Sequence, residues 1–180
     1  MTTDEHLMLE FQRGSREAFT ELFERYRDPV HGFFRRRLRD VARAEELAQE
    51  TFLAILRGAE RYEPRASFRT YLYAIAFRQV SAEWRRVKRE AAAPESEPAV
   101  EEGRDEILWL RRAVEQLDDA HREVLLLREF EQLSYDEIAA VLRIPVNTVR
   151  SRLFRARMEL KALLEPQRDG RGRQHEGSRS

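Results

Sequence analysis

The segment Ser134-Tyr135-Asp136-Glu137, followed a few residues later by Pro145, constrains the fold of this chain more tightly than any other feature. A serine three residues ahead of a glutamate is the capping-box pattern, in which hydroxyl and carboxylate satisfy orphan N–H groups at a helix start. The helix that follows buries Ile138, Val141 and Leu142 and stops near Arg143. Pro145 enforces the stop, because it disfavours helical backbone at Ile144 and lacks the donor to continue the ladder. The next run, VNTVRSRLFRARMEL, puts Val149, Leu153, Ala156 and Leu160 on one face. Asn147, Thr148, Arg150, Ser151, Phe154, Arg155 and Arg157 then lie on outward arcs. Two helices joined by so short a turn make a helix-turn-helix over residues 134 to 157. Arginines and small hydroxyls on the outer face suit base edges and phosphates in a major groove. A merely solvated basic helix would carry the same charge, but capping box, proline turn and one-sided arginines together point to duplex DNA.

The rest of the chain reads as helices too. No sustained period-2 alternation marks a strand, and seven glycines and six prolines interrupt long stretches of helical spacing. The expected fold class is all-α. A first helix carries Phe19, Leu22, Phe23 and Tyr26 on one stripe. Asp28-Pro29 then offers a cap and a proline suited to a new helix, which runs to about Leu38. A third helix starts near Asp40 with Val41, Ala44, Ala48, Phe52 and Ile55 on one side, and a fourth follows, capped by Ser67. Residues 91 to 103, AAAPESEPAVEEG, are too poor in large apolar side chains to fold alone and read as a linker. A second helical block begins near Asp105, with Ile107, Leu110, Val114 and Leu117 on one face. The tail QRDGRGRQHEGSRS reads as disordered.

Composition excludes several functions. Without cysteine there is no disulfide or thiolate site, and the four histidines, His6, His31, His121 and His175, lack metal-ligand spacing. Neither a phosphate loop nor a nucleophile-base set appears, so the expectation is a non-enzyme with no cofactor and no metal. No apolar run approaches the ~18 residues of a membrane span, and the start MTTDEH is unlike a signal peptide. The expected location is cytoplasmic. A formal net charge of +0 would argue against a nucleic-acid partner were the charge evenly spread. Lys and Arg number 18 against 15 Asp and Glu in residues 1–90, 5 against 11 in 91–130, and 10 against 7 in 131–180. An acidic middle hides two basic ends, and local fields rather than totals steer association.

Two helix faces in the first block stand out. Glu46, Gln49, Glu50 and Leu53 lie opposite the apolar stripe of the third helix: either solvated surface or a docking patch in which a leucine sits among acids. The fourth helix carries Phe68, Leu72, Ile75 and Gln79 on one stripe and Tyr73, Phe77, Val80 and Trp84 on another. Packing between neighbours accounts for two apolar sides. Stacking of unpaired bases, aided by Arg78, Arg85, Arg86, Lys88 and Arg89, is the alternative.

Read in order, AFTELFERY, AEELAQETFLAIL and FRTYLYAIA, then LDDAHREVLLLREFEQLSYDEIAAVLRIPVNTVRSRLFRAR, resemble the extracytoplasmic-function group of bacterial sigma-70-type sigma factors over about residues 7 to 164. The resemblance implies two small helical domains, region 2 at 7–90 and region 4 at 105–164, with a flexible acidic linker at 91–104 and a disordered tail at 165–180. It implies binding to core RNA polymerase, recognition of promoter DNA and help in opening it. Glu46, Gln49, Glu50 and Leu53 would dock on the polymerase clamp helices. The loop from about Arg61 to Ser67 and the following helix, with Arg65, Phe68, Tyr71, Arg78, Arg85 and Arg86, would capture the single-stranded minus-10 element. Thr148, Arg150, Ser151, Phe154 and Arg155 would contact the duplex minus-35 element. The linker would thread the polymerase cleft, and an anti-sigma factor is the further partner implied.

Tyr71 stands where the family usually has tryptophan, Arg78 where asparagine is common, Glu83 where aspartate is usual and Asp118 where proline is common. Asn147 replaces a glycine and reads as a helix cap. The competing reading is an autonomous helix-turn-helix regulator whose first block dimerises or senses a signal; the acidic face at Glu46 to Glu50 and the lack of a dimer seam weigh against it.

Overall fold

Most helix starts use the cap that the local sequence offers. Asp40, Ser67 and Asp118 accept from the N–H groups of Arg43, Thr70 and Ala120 at 3.1, 3.1 and 3.0 Å. The capping box closes in both directions: Glu137 N–H donates to Ser134 Oγ at 3.1 Å, and Ser134 N–H donates to Glu137 Oε2 at 2.8 Å. A computed structural model describes residues 2–91 and 105–165, all helix and loop with no strand among them. Its helices are α1 (Asp4–Gln12), α2 (Arg16–Arg35), α3 (Val41–Gly58), α4 (Phe68–Glu90), α5 (Asp105–Glu115), α6 (Asp119–Glu129), α7 (Tyr135–Leu142) and α8 (Val146–Leu164), with a 3-10 turn at Ala59–Arg61. Apart from Ala91 and Glu165 at their edges, the expected linker and tail lie outside the described residues.

Two compact units result. One holds α1 to α4; the other holds α5, α6, α8 and the start of α7. In the first unit, α2 continues through Pro29 instead of ending at Asp28. Pro29 leaves the Arg25 carbonyl without its helical donor, a cost of roughly 3 kcal/mol in a helix interior. Opposing it, Leu22, Tyr26, Val30, Phe33 and Phe34 form one unbroken buried stripe, the last three at 0% exposure. Burial of each such side chain contributes about 1.5–3 kcal/mol, which outweighs the broken ladder. The helix α1, for which no periodic stripe was visible, buries only Leu7 and Met8 and packs on α2, α4 and the 3-10 turn. Gly14, at φ 105°, turns the chain from α1 into α2. On α3 the buried face includes Leu47 and Thr51, while Val41, expected inside, is 52% exposed at the helix start.

The fourth helix packs on α1, α2 and α3, which explains its two apolar sides. Phe68, Leu72, Ile75 and Ala76 are buried on one arc and Tyr73 and Val80 on another. In the second unit, α8 packs along α6 and, less extensively, α5. Val149, Leu153 and Ala156 are all but inaccessible, and Leu160 is half-buried. On α5 Ala113 is buried, as is Leu117 in the turn that follows the helix; Leu110, expected inside, is 46% exposed.

Candidate nucleic-acid interface

The turn before α8 is made by Arg143, not by the proline alone. Arg143 adopts φ 55° and Ile144 N–H donates to the Ala139 carbonyl at 3.1 Å, a Schellman closure of α7. Pro145 then sits at the N-cap of α8 with extended backbone. Asn147, expected to cap, lies inside the first turn, because a proline N-cap moves the helix start forward; its Oδ1 accepts from Arg150 at 3.3 Å. The face opposite Val149, Leu153 and Ala156 carries Arg150, Ser151, Phe154 and Arg155, all exposed, with Phe154 at 66%. Thr148 is half-buried. Ser151 Oγ donates back to the Thr148 carbonyl at 3.1 Å. Arg157 is held by Glu129 at 3.0 Å, which raises its pKa and takes it out of the free set. Arg155 makes no ion pair or hydrogen bond among the described residues.

A second surface surrounds the loop between the 3-10 turn and α4. Arg61, Tyr62, Glu63, Arg65 and Tyr71 line a shallow cleft. Arg65, 83% exposed along its side chain, pairs with Glu63 at 2.5 Å. Tyr62 and Tyr71 meet edge to face with ring centroids 5.1 Å apart. Tyr62 is buried, its hydroxyl without a hydrogen-bond partner among the described residues. Burial and the nearby Glu5 carboxylate push its pKa up to about 12, so it stays a neutral hydroxyl. Burial also raises Tyr71, against the opposing charge of Arg78. Gly58 permits the position of Tyr71: a Cβ there would lie 2.8 Å from the Tyr71 hydroxyl.

Two side chains expected at this surface are engaged elsewhere. Phe68 is 1% exposed and packs against Tyr26 and Tyr62, because the first turn of α4 points its ring into the core. It supports the cleft from beneath. The Arg86 guanidinium is bidentate to Glu83, with Nε to Oε2 at 3.2 Å and Nη2 to Oε1 at 2.5 Å, and its Nη1 reaches Glu90 at 2.7 Å. Arg78 and Arg85 remain exposed on α4. Sequence reasoning missed Tyr62 and Gly58; the aromatic just ahead of EPRAS was the available signal for the first.

On α3, Glu46, Gln49, Glu50 and Leu53 are all exposed on one side, as the helical spacing requires, with Leu53 at 44%. Arg43 joins this face to α4. It reaches Glu46 at 2.9 Å, Glu50 at 3.4 Å and the buried Glu83 at 3.1 Å. Flanked by Arg86 and Arg43, Glu83 is held ionised below the usual carboxylate range despite its burial.

Residues 22–90 match the family model for sigma-70 region 2, and residues 107–160 match that for sigma-70 region 4. The RNA polymerase sigma-H factor of Pseudomonas aeruginosa is 34% identical over 184 residues, covering 91% of this chain and 94% of that protein. This chain belongs to the sigma-70 family, in its extracytoplasmic-function group. The ECF RNA polymerase sigma-E factor of Haemophilus influenzae is 32% identical over 185 residues, covering 91% of this sigma factor and 96% of that one. The fold is shared with the sigma factor RpoE of Bartonella quintana, solved in complex with the anti-sigma factor NepR. That match has a TM-score of 0.72 at 21% identity and covers 82% of this sigma factor and 96% of that chain. The helix-turn-helix lies in the region 4 match, and the aromatic cleft and the acidic α3 face lie in the region 2 match.

Proposed function

We propose that this sigma factor reads a promoter with two surfaces while a third holds it on core RNA polymerase. The observation that carries the reading is the division of α8 into a buried face and an arginine-bearing outer face. Arg150 and Arg155 read base edges or phosphates of the duplex minus-35 element. Thr148 and Ser151 allow close backbone approach, and Phe154 offers an apolar contact for a thymine methyl. At the region 2 cleft, Tyr71 stacks on an unpaired base of the minus-10 element, while Arg65, Arg78 and Arg85 meet the strand's phosphates. Arg86 acts through Glu83 and Glu90, and Phe68 acts by supporting the aromatic cluster from the core.

Glu46, Gln49, Glu50 and Leu53 form the polymerase-docking patch, a leucine with acids around it. Bases held in the cleft are withdrawn from re-annealing, so their capture shifts the duplex toward the open state. The chain itself performs no covalent step and works in the cytoplasm, where polymerase is; no helix among the described residues is long and apolar enough to cross a membrane. An anti-sigma factor that covers the docking surfaces is the natural regulator of such a design. Heparin-resistant run-off transcription from a promoter selected out of the native genome tests the reading. Transcription that depends on adding this chain to core polymerase is the expected result, and no transcript above core alone would refute it.

A further inference from the structure

We propose that α1 is a clamp on the strand-capturing loop, with Gln12 and Glu5 as positioning residues; the inference rests on the reading of that loop as a minus-10 site. Gln12 Nε2 donates to the carbonyls of Ala59 and Tyr62 at 2.6 and 2.7 Å, the two residues between which the chain leaves the 3-10 turn. Glu5 Oε1 accepts the N–H of Phe68 at 2.7 Å. That N–H opens α4 and has no partner within its own helix. Both ends of the loop are therefore tied to one helix, across sequence separations of 47, 50 and 63 residues.

Glu5 and Gln12 are seven positions apart, two turns of helix, so they stand one above the other on the same face. Met8 lies between them at 0% exposure and keys that face into the core. The clamp has its own footing: Asp4 accepts from Arg25 Nη1 at 2.7 Å and from the Tyr26 hydroxyl at 2.5 Å, both on α2. Neither Gln12 nor Glu5 lines the cleft, so each acts on the strand only through the backbone it holds. The region 2 match begins at residue 22 and leaves α1 outside it.

The chemistry of the two contacts differs, and the difference supplies the test. Gln12 faces two carbonyl oxygens and must donate; a glutamate of the same shape would set acceptors against acceptors. Glu5 faces one N–H and must accept, which a glutamine still does. Gln12→Glu, Glu5→Gln, Glu5→Ala and Tyr71→Ala are made in the full chain and reconstituted with core polymerase. Strand capture is read with 2-aminopurine placed in the minus-10 region of a promoter that wild-type holoenzyme transcribes. Backbone hydrogen exchange over residues 59–71 is followed in the free chain.

Gln12→Glu and Glu5→Ala are expected to weaken capture about tenfold and to speed exchange in that segment. Glu5→Gln stays near wild type, and all variants co-elute with core polymerase and bind a minus-35 duplex normally. A general loss of fold would move every readout and would not be rescued by Glu5→Gln. Unchanged capture in Gln12→Glu and Glu5→Ala, with capture lost in Tyr71→Ala, overturns the clamp and leaves the cleft standing. Unchanged capture in Tyr71→Ala as well overturns the cleft reading and the clamp with it.

Discussion

At the scale of single residues, the missing side chain of Gly58 does as much to shape the cleft as the side chains that line it. Gly58 closes α3 at φ −90°, a backbone that alanine adopts without strain, and alanine there would favour the helix by roughly 0.5–1 kcal/mol. The added Cβ would meet the Tyr71 hydroxyl, on a ring already packed against Tyr62 and Phe68. Gly58→Ala is therefore expected to impair promoter opening without lowering thermal stability. Gly58→Ala/Tyr71→Phe should recover, since phenylalanine lacks the clashing oxygen. Permanganate footprinting of the opened region follows both variants beside Tyr71→Phe alone, and a double variant as defective as Gly58→Ala would exclude this role. On α8, Arg155→Ala and Arg150→Ala should each weaken binding of a cognate duplex by about 1–3 kcal/mol if they read base edges. Their melting temperatures should stay close to wild type, because both side chains are exposed. Wild-type affinity and wild-type discrimination between cognate and scrambled duplexes in both variants would remove them from the reading set.

Between elements, the chain Glu50, Arg43, Glu83, Arg86, Glu90 ties the acidic face of α3 to the basic end of α4. The hydrogen bonds from Arg86, and then Arg43, keep the Glu83 carboxyl ionised below its ordinary pKa. Stability from this source is present above the ordinary carboxylate value and is lost as pH falls through the lowered one. Glu83→Gln is expected to cost about 1–3 kcal/mol at neutral pH. The gap from wild type should close on acidification below about pH 4, as measured by denaturant unfolding across that range; a gap that widens in acid would contradict the assignment. The caps at Ser67 and Ser134, and the helix start at Asp40, were legible because a cap is written within three residues of what it caps. So was the exposed α3 face, which helical period alone defines. What escaped was set by distance in the chain. The passage of α2 through Pro29 depends on a core assembled from three other helices, and local turn chemistry pointed the other way. With two buried side chains, α1 has no stripe to read, and its bonds to the loop join residues that no local pattern connects.

Across the whole molecule, net charge is zero because the acidic middle of the sequence offsets basic ends. A chain so balanced lacks the broad positive field that gives duplex binders their non-specific affinity. Each proposed DNA surface is also small: a few residues of α8, and a cleft with a few arginines around it, of which Arg65 is paired with Glu63. Neither should hold promoter DNA tightly alone. On the proposed reading, in which core polymerase grips the α3 face, the second contact becomes intramolecular, and its effective concentration rises to the millimolar range expected of short linkers. Free chain is thus expected to distinguish a cognate promoter duplex from a scrambled one poorly, by about tenfold or less in anisotropy titrations, as a partly engaged reader of one element would. Reconstituted holoenzyme should distinguish them by at least a further hundredfold, the lower end of what linkage contributes. The extra discrimination should vanish in Glu50→Lys, which reverses a charge on the proposed docking face while leaving the core untouched. Tight, selective binding by the free chain would instead mark the helix-turn-helix as self-sufficient, with polymerase contributing nothing to recognition.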